Sequence, residues 1–199
     1  MLTLTRKAGE RIAIGDSIEV CVVDIGRGKV RIGITAPRGV AIHRGEIVDR
    51  IVAQNRAAAG SIVPPIDAAR AATRLGIPYG LPGLREHTAF DLHDVDGQPD
   101  LRQLVSVRDP VVRLCIVDAE LAFEDYPVAA ARTLAGLDRT DTIVALVVCL
   151  PSDGRPMTVN LGAPLVIDVE ARVATQVIFD GAEHPGGRAP WLPRAACPL

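Results

Sequence analysis

The sequence predicts a mostly β protein in two parts: a five-stranded N-terminal unit ending in a helix, then a small β-barrel-like domain. Three observations carry this. Short runs of alternating polar and apolar residues recur between Arg11 and Thr35, which is the period of a half-buried strand, and many short strand-like runs separated by turn residues recur between Thr88 and Phe179. Glycine-bearing turns separate the first set: Gly15-Asp16, Gly26-Arg27-Gly28 and Pro37 with Gly39. Between the two sets the composition shifts, at AAAGSIVPPIDAARAATRLG (residues 57–76), where Pro64-Pro65 fits neither a helix interior nor a central strand.

Thr3–Thr5 begins an extended segment, and Arg11–Ile14 alternates into the first turn. Ile18, Val20 and Val22 then alternate with Glu19, Cys21 and Val23, as in a strand with one well-buried face, and Val30, Ile32 and Ile34 repeat the pattern. Val40–His43 reads as a short strand after the break at Pro37 and Gly39. Arg44–Arg56 has helical spacing, with Ile47, Val48, Ile51 and Val52 on one stripe. A unit of this size has little core of its own and leaves short strand edges unpaired, and a dimer with interleaved strands cures both defects. Residues 57–76 are expected to be a linker with a short helix at Ile66–Leu75. The second half, residues 77–185, offers strands at Thr88–Leu92, Gln103–Arg108, Val112–Asp118, Ile143–Leu150, Met157–Val159, Leu165–Val169 and Gln176–Phe179. Leu134–Leu137 reads as one helical turn or a loop, and residues 186–199 as a loose tail.

The charge is uneven. Residues 1–56 hold ten basic and six acidic residues, a net +4, while the remainder holds twelve and eighteen, a net −6. A basic module joined to an acidic one fits a polyanion binder tethered to something that competes with it, or two halves that each carry an ordinary solvated surface. No apolar run reaches the length of a membrane span, and Met1 leads into a strand pattern without a signal-like segment. Cys21, Cys115, Cys149 and Cys197 are far apart and lack C-x-x-C spacing, which favours reduced thiols. These features predict a cytoplasmic protein with no membrane partner. His87, His93 and His184 lack metal-ligand or catalytic spacing, and no P-loop, G-x-S-x-G or dinucleotide fingerprint is present. Asp91, Asp94, Asp96 and Asp100 read as a solvated acidic loop rather than a calcium site. The expectation is therefore no enzyme, no cofactor and no metal.

The run TRKAGERIAIGDSIEVCVVDIGRGKVRIGITAPRGVAIHRGEI, with basic residues at both ends, closely resembles the CsrA carbon storage regulator family. The resemblance implies an interleaved homodimer in which the first and fifth strands of opposite subunits lie side by side and grip GGA-bearing single-stranded loops in messenger RNA. The residues it implicates are Leu4, Thr5, Arg6 and Lys7 on one strand, and Ala36, Pro37, Arg38, Gly39, Val40, Ala41, Ile42, His43 and Arg44 at the other, with Arg44 the main contributor. Each has a plainer reading: Arg44 as a solvated helix-start cation, His43 as a strand residue packed at the dimer contact, Arg6 and Lys7 as edge charges that discourage aggregation. The chain has three Phe, two Tyr and one Trp, none within residues 1–56, so base stacking on aromatic rings is unavailable there and readout falls to Arg, Lys and main chain. Binding of this kind weakens with salt, and a DNA partner is not expected.

YGLPGLREHTAFDL at 79–92, LVSVRDPVVRLCIVDAE at 104–120 with DYPV at 125–128, and TVNLGAPLVID at 158–168 with TQVIF at 175–179 look like the FliW flagellar assembly factor family, over most of residues 77–180. A pair of strands usually precedes the G-L-P-G-L segment in that family, and the linker stands in their place here. The resemblance implies a translational regulator, binding GGA hairpins in mRNA leaders, fused to its own antagonist. The docking contact is within one chain or exchanged between protomers, and flagellin is a further ligand of the second half. Ile47, Ile51 and Asn55 on the helix, with Asn160 and Gln176 on the second half, are the candidate contacts; Asn160 and Gln176 read first as residues satisfying backbone at barrel corners, with partner contact the alternative. The alternative is a protein-binding assembly factor or chaperone that keeps the N-terminal module for dimerisation.

Overall fold

A computed structural model describes residues 1–37, 39–61, 63–66, 70–137, 141–150, 156–180 and 188–190. The chain divides into two compact units, Met1–Ile42 and His43–Leu199.

The first unit is a three-stranded antiparallel sheet of β1 (Arg11–Ile14), β2 (Ile18–Gly26) and β3 (Lys29–Thr35). Its second hairpin closes with Gly26 opposite Lys29, so Arg27-Gly28 are the two loop residues. Both have positive φ, 49° and 73°, the geometry whose twist suits a two-residue hairpin. A register shift between Val22 and Asp24 leaves Val23 as the extra residue of a bulge. The expected well-buried face of β2 is absent in the single chain: no described residue of 1–42 is buried, and Val23, Ile25, Val30 and Ile32 are each more than half exposed. One three-stranded sheet has no second layer to cover either face. Thr3–Thr5 and Val40–His43 are not strands here. Among the described residues of the single chain, neither segment has a neighbouring strand.

The second unit begins with the helix. α1 (Gly45–Ala59) buries Ile51, Gln54, Asn55 and Ala58. It runs past the expected boundary at residue 56 and ends at Gly60. The following strand β4 (Thr73–Gly76) lies inside the predicted linker, so the expected helix at Ile66–Leu75 is not formed: Ile66 makes an isolated bridge with Val95, and Thr73–Gly76 pairs with Leu92–Ala89 of β5 (Ala89–Val95). β4 also meets β11 (Val173–Gln176) in parallel at Gly76 and Val173. A strand thus fills the edge that the sequence left open.

Beyond β5 come β6 (Gln98–Ser106), β7 (Arg113–Asp118), the short helix α2 (Ala119–Ala122), α3 (Val128–Ala135), β8 (Ile143–Cys149), β9 (Thr158–Asn160), β10 (Leu165–Asp168) and, after β11, β12 (Arg188–Pro190). The neighbour order β10-β11-β4-β5-β6-β7-β8 closes on itself because β10 also pairs with β8, and β9 and β12 branch from β8. Closure removes the free edges of these seven strands. The last expected strand, Gln176–Phe179, is displaced: β11 ends at Gln176, and Val177 and Phe179 instead donate backbone bonds to Pro164 and Gly162. β12 falls inside the expected tail, whose residues 191–199 lie outside the described residues, as does His184. Leu134 and Ala135 end α3, which is terminated by left-handed Gly136.

Asp91 and Asp94 lie on β5 and Asp100 on β6, so three of the four predicted loop carboxylates sit on strands. Asp91 is paired with Arg74, and Asp94 with Arg70 at 2.8 Å. Among the described residues no cluster of His, Cys, Asp or Glu could hold a metal ion. His87 Nδ1 lies 2.7 Å from Ser106 Oγ, but both residues are buried and Ser106 Oγ accepts from Asp109 N–H. The pair ties the start of β5 to the end of β6. Cys115 is buried in β7, and burial pushes its thiol up to about 11. Two outcomes are expected. Cys115 resists alkylation in the folded chain at neutral pH, as mass spectrometry after a short iodoacetamide exposure would read. Stability is fully present below the ordinary thiol range and declines as pH rises towards about 11, because only the unfolded chain ionises this thiol freely; denaturant melts across that window would check it.

Candidate nucleic-acid interface

In the first unit Leu4, Thr5, Arg6 and Lys7 precede β1, exposed. The Arg6 guanidinium donates to Thr5 carbonyl at 3.0 Å, and the Lys7 N–H to Glu10 Oε2 at 2.8 Å. After β3, Ala36 is half-buried, while Pro37, Gly39, Val40, Ala41 and Ile42 are exposed. Val40 N–H closes a turn on Pro37 carbonyl at 2.9 Å. Arg38 lies outside the described residues. Solvent can therefore reach the described members of both segments, and their backbone groups are not committed to a sheet.

His43 and Arg44 belong to the second unit, and Arg44 is the N-cap of α1 with no side-chain cap of its own. Asp180 supplies the cap. Its Oδ2 accepts from Arg44 N–H at 2.6 Å, and its Oδ1 lies 2.5 Å from both Arg44 Nε and a terminal guanidinium nitrogen. One carboxylate thus meets an orphan amide at a helix N-terminus and a cation together. The backbone N–H of Arg44 is the main reason the Asp180 carboxyl is held below the usual carboxylate range; partial burial opposes it, and the guanidinium and then His43 add to it. The His43 Nδ1 is buried without a hydrogen-bond partner.

The rest of α1 lies along the segment that follows β11. From Gln176 to Asp180 the side chains alternate: Val177 and Phe179 enter the barrel core cluster, while Gln176, Ile178 and Asp180 meet the helix. Gln176 exchanges hydrogen bonds with Asn55, whose Nδ2 donates to Gln176 Oε1 at 2.7 Å and to Pro82 carbonyl at 2.9 Å. Ile178 packs with Ile51 and Ala163, flanked by Ile47 and Val48. Two strand residues span about 6.7 Å and one helical turn about 5.4 Å, so alternate extended residues fall in step with Asn55 and Ile51. Arg44 lies further along and reaches Asp180 through its long side chain and its capping amide. On the other flank Arg56 Nε donates to Gly83 carbonyl at 3.2 Å.

Of the five candidate docking residues, four therefore lie at the helix contact: Ile47, Ile51, Asn55 and Gln176. Asn160 does not. Its Oδ1 accepts from Gly162 N–H at 3.1 Å within its own corner. The sequence reading missed Asp180, Pro82 and Gly83. The alternation Gln176-x-Ile178-x-Asp180 was a usable signal for the first, since it presents a polar, an apolar and an acidic side chain on one edge.

Comparison with known proteins matches the CsrA global regulator protein family at residues 1–53 and the FliW protein family at residues 65–187. Over 59 residues the chain is 59% identical to the translational regulator CsrA of Desulfitobacterium hafniense (strain Y51), spanning 30% of this chain and 77% of that protein. It is 56% identical over 59 residues to the translational regulator CsrA of Leifsonia xyli subsp. xyli (strain CTCB07), spanning 30% of this chain and 69% of that protein. A crystal structure of the flagellar assembly factor FliW aligns with a TM-score of 0.48 and 21% identity over 57% of this chain and 82% of that one. The family matches and the CsrA relatives place the chain in both families: it is a fusion of a CsrA domain to a FliW domain.

Proposed function

We propose that this chain is a non-catalytic, cytoplasmic translational regulator. Its CsrA part dimerises and binds GGA-bearing single-stranded loops in messenger RNA leaders, and its FliW part attenuates that binding. One observation carries this reading. Helix α1 begins within the region matched to CsrA, yet its buried face packs on the FliW barrel of the same chain. The RNA-reading residues of the family, Arg6, Lys7 and Arg44 among them, are present, and α1 starts next to the last of them. The uncovered sheet of the first unit, with Ile14 and Ile34 exposed as well as Val23, Ile25, Val30 and Ile32, supports a homodimer whose partner covers it. Two RNA grooves per dimer would grip paired sites on one transcript. Flagellin, as ligand of the FliW part, would couple its own supply to translation.

The test is a fluorescence titration of the full chain with a GGA hairpin and a scrambled loop, alongside sedimentation. A dimer is expected. Arg44→Ala is expected to weaken hairpin binding about 10- to 100-fold, with affinity falling as salt rises. Equal binding of both loops, or no effect of Arg44→Ala, would overturn the regulator. The exposed apolar sheet also favours the alternative of an assembly factor that uses its first unit for dimerisation alone; a dimer that ignores the hairpin is its signature.

A further inference from the structure

We propose that Asp180 is a built-in competitor of RNA: its carboxylate occupies the edge of the Arg44 guanidinium that the transcript would use. This rests on Arg44 being an RNA contact, as argued above. Arginine reads guanine O6 and N7, or two phosphate oxygens, by aiming two adjacent N–H groups at two acceptors. In the structure Nε and one terminal nitrogen, two adjacent donors of that kind, already converge on Asp180 Oδ1, while Oδ2 holds the backbone amide. A carboxylate and an RNA acceptor cannot share these donors, and two anions there would repel. The Asp180 side chain is 12% exposed and held from behind by the backbone bonds of Val177 and Phe179. The Arg44 side chain is 61% exposed, so it is the mobile partner. It swings out when RNA is bound.

This differs from attenuation at a distance. A FliW part that acted only through bulk negative charge would depend on its whole acidic surface, and a change of one carboxylate to its neutral isostere would be lost in the sum. Competition concentrates the effect in one pair. An exposed ion pair shifts an equilibrium by a factor of up to about five. Closed and open forms near four to one would leave about one fifth of the chains competent, lowering apparent affinity about fivefold. That is a tunable brake rather than a lock.

The experiment titrates a labelled GGA hairpin with the full chain carrying no change, Asp180→Asn, Asp180→Ala, Arg44→Ala, or Arg44→Ala with Asp180→Asn. Asparagine keeps an oxygen for the Arg44 amide, so the helix cap survives while the charge goes. Competition predicts that Asp180→Asn and Asp180→Ala both tighten binding about threefold, and that the gain vanishes in the Arg44→Ala background. Should Asp180→Asn leave the affinity unchanged while Arg44→Ala weakens it, Asp180 is a helix cap alone, and the proposal falls while the regulator reading stands. A gain that persists without Arg44 also overturns it, in favour of bulk charge. Hairpin binding insensitive to Arg44, or none in any variant, defeats the regulator reading itself and the competition with it.

Discussion

Replacing Ile51 by Asp is expected to release α1 from the barrel and raise RNA affinity more than any change at the ion pair. Ile51 is 2% exposed and packs with Ala163 and Ile178, flanked by Ile47 and Val48, an apolar contact that offers a carboxylate nothing to pair with. Burying an unpaired charge there costs about 3–5 kcal/mol, so the helix leaves instead. Tethering keeps its local concentration in the mM range, which sustains a weak contact but not one weakened a hundredfold or more. Most of the barrel core lies beyond this contact, in the cluster around Val117, Leu146 and Phe179 and in the one around Phe90, Leu104 and Leu165, where α1 contributes only Ala58 with Ala59 against it, and it should persist. Asn55→Asp approaches the same end by another route. It turns a side chain that donates to Pro82 carbonyl and Gln176 Oε1 into an anion facing two acceptors, at a cost of about 3 kcal/mol. Hydrogen exchange on the full chain would show faster exchange confined to residues 48–58, together with tighter hairpin binding. Unchanged protection of those amides would sink the docking geometry; released amides with unchanged affinity would sink its link to RNA.

Much of this architecture was legible in the residues because strand periodicity and turn chemistry are local. Gly15-Asp16 and Arg27-Gly28 marked both hairpins of the first unit, and the short apolar run at Leu165–Val169 marked β10 within one residue. The misplaced elements share a cause in long-range pairing. Thr73–Gly76 has an Ala- and Arg-rich surrounding that suggests a helix, and it is a strand because β5 and β11 lie on either side of it. Val40–His43 has the pattern of a strand but no strand beside it among the described residues. The stripe Ile47, Val48, Ile51 and Val52 announced a helix face that needed covering, and the family resemblance suggested by what. The acidic end of the contact was harder. The alternation Gln176-x-Ile178-x-Asp180 puts the Asp180 carboxylate on the same edge, but its partner is Arg44, 136 residues away in the chain.

The G-L-P-G-L motif gives the sharpest separation between folding and docking, because its two glycines face different neighbours. At Gly80, φ is +62° and an added Cβ would lie 2.5 Å from Arg85 carbonyl oxygen and 2.6 Å from its Cα. Both are backbone atoms of the same tight loop, whose Leu81 and Leu84 are buried in the barrel. Gly80→Ala is therefore expected to cost about 3–5 kcal/mol and to lower the thermal midpoint of the unit by about 10 °C. At Gly83, φ is +86° and the added carbon would meet Val52 of α1, at 3.0 Å from its carbonyl oxygen and 3.1 Å from Cγ1. The steric obstacle there is the helix, which can retreat, leaving only the strain of a side chain at this φ, so Gly83→Ala should lower the midpoint by less than Gly80→Ala does while α1 amides lose protection and RNA binding tightens. A motif of one family thus holds a helix of the other: Gly80 shapes the cradle, Pro82 accepts from Asn55, and Gly83 lets the helix backbone approach. Melts and hydrogen exchange on the two alanine variants, run side by side, decide it. Equal loss of melting temperature in both would mean that the loop and the helix are one folding unit and that α1 does not leave without unfolding the barrel.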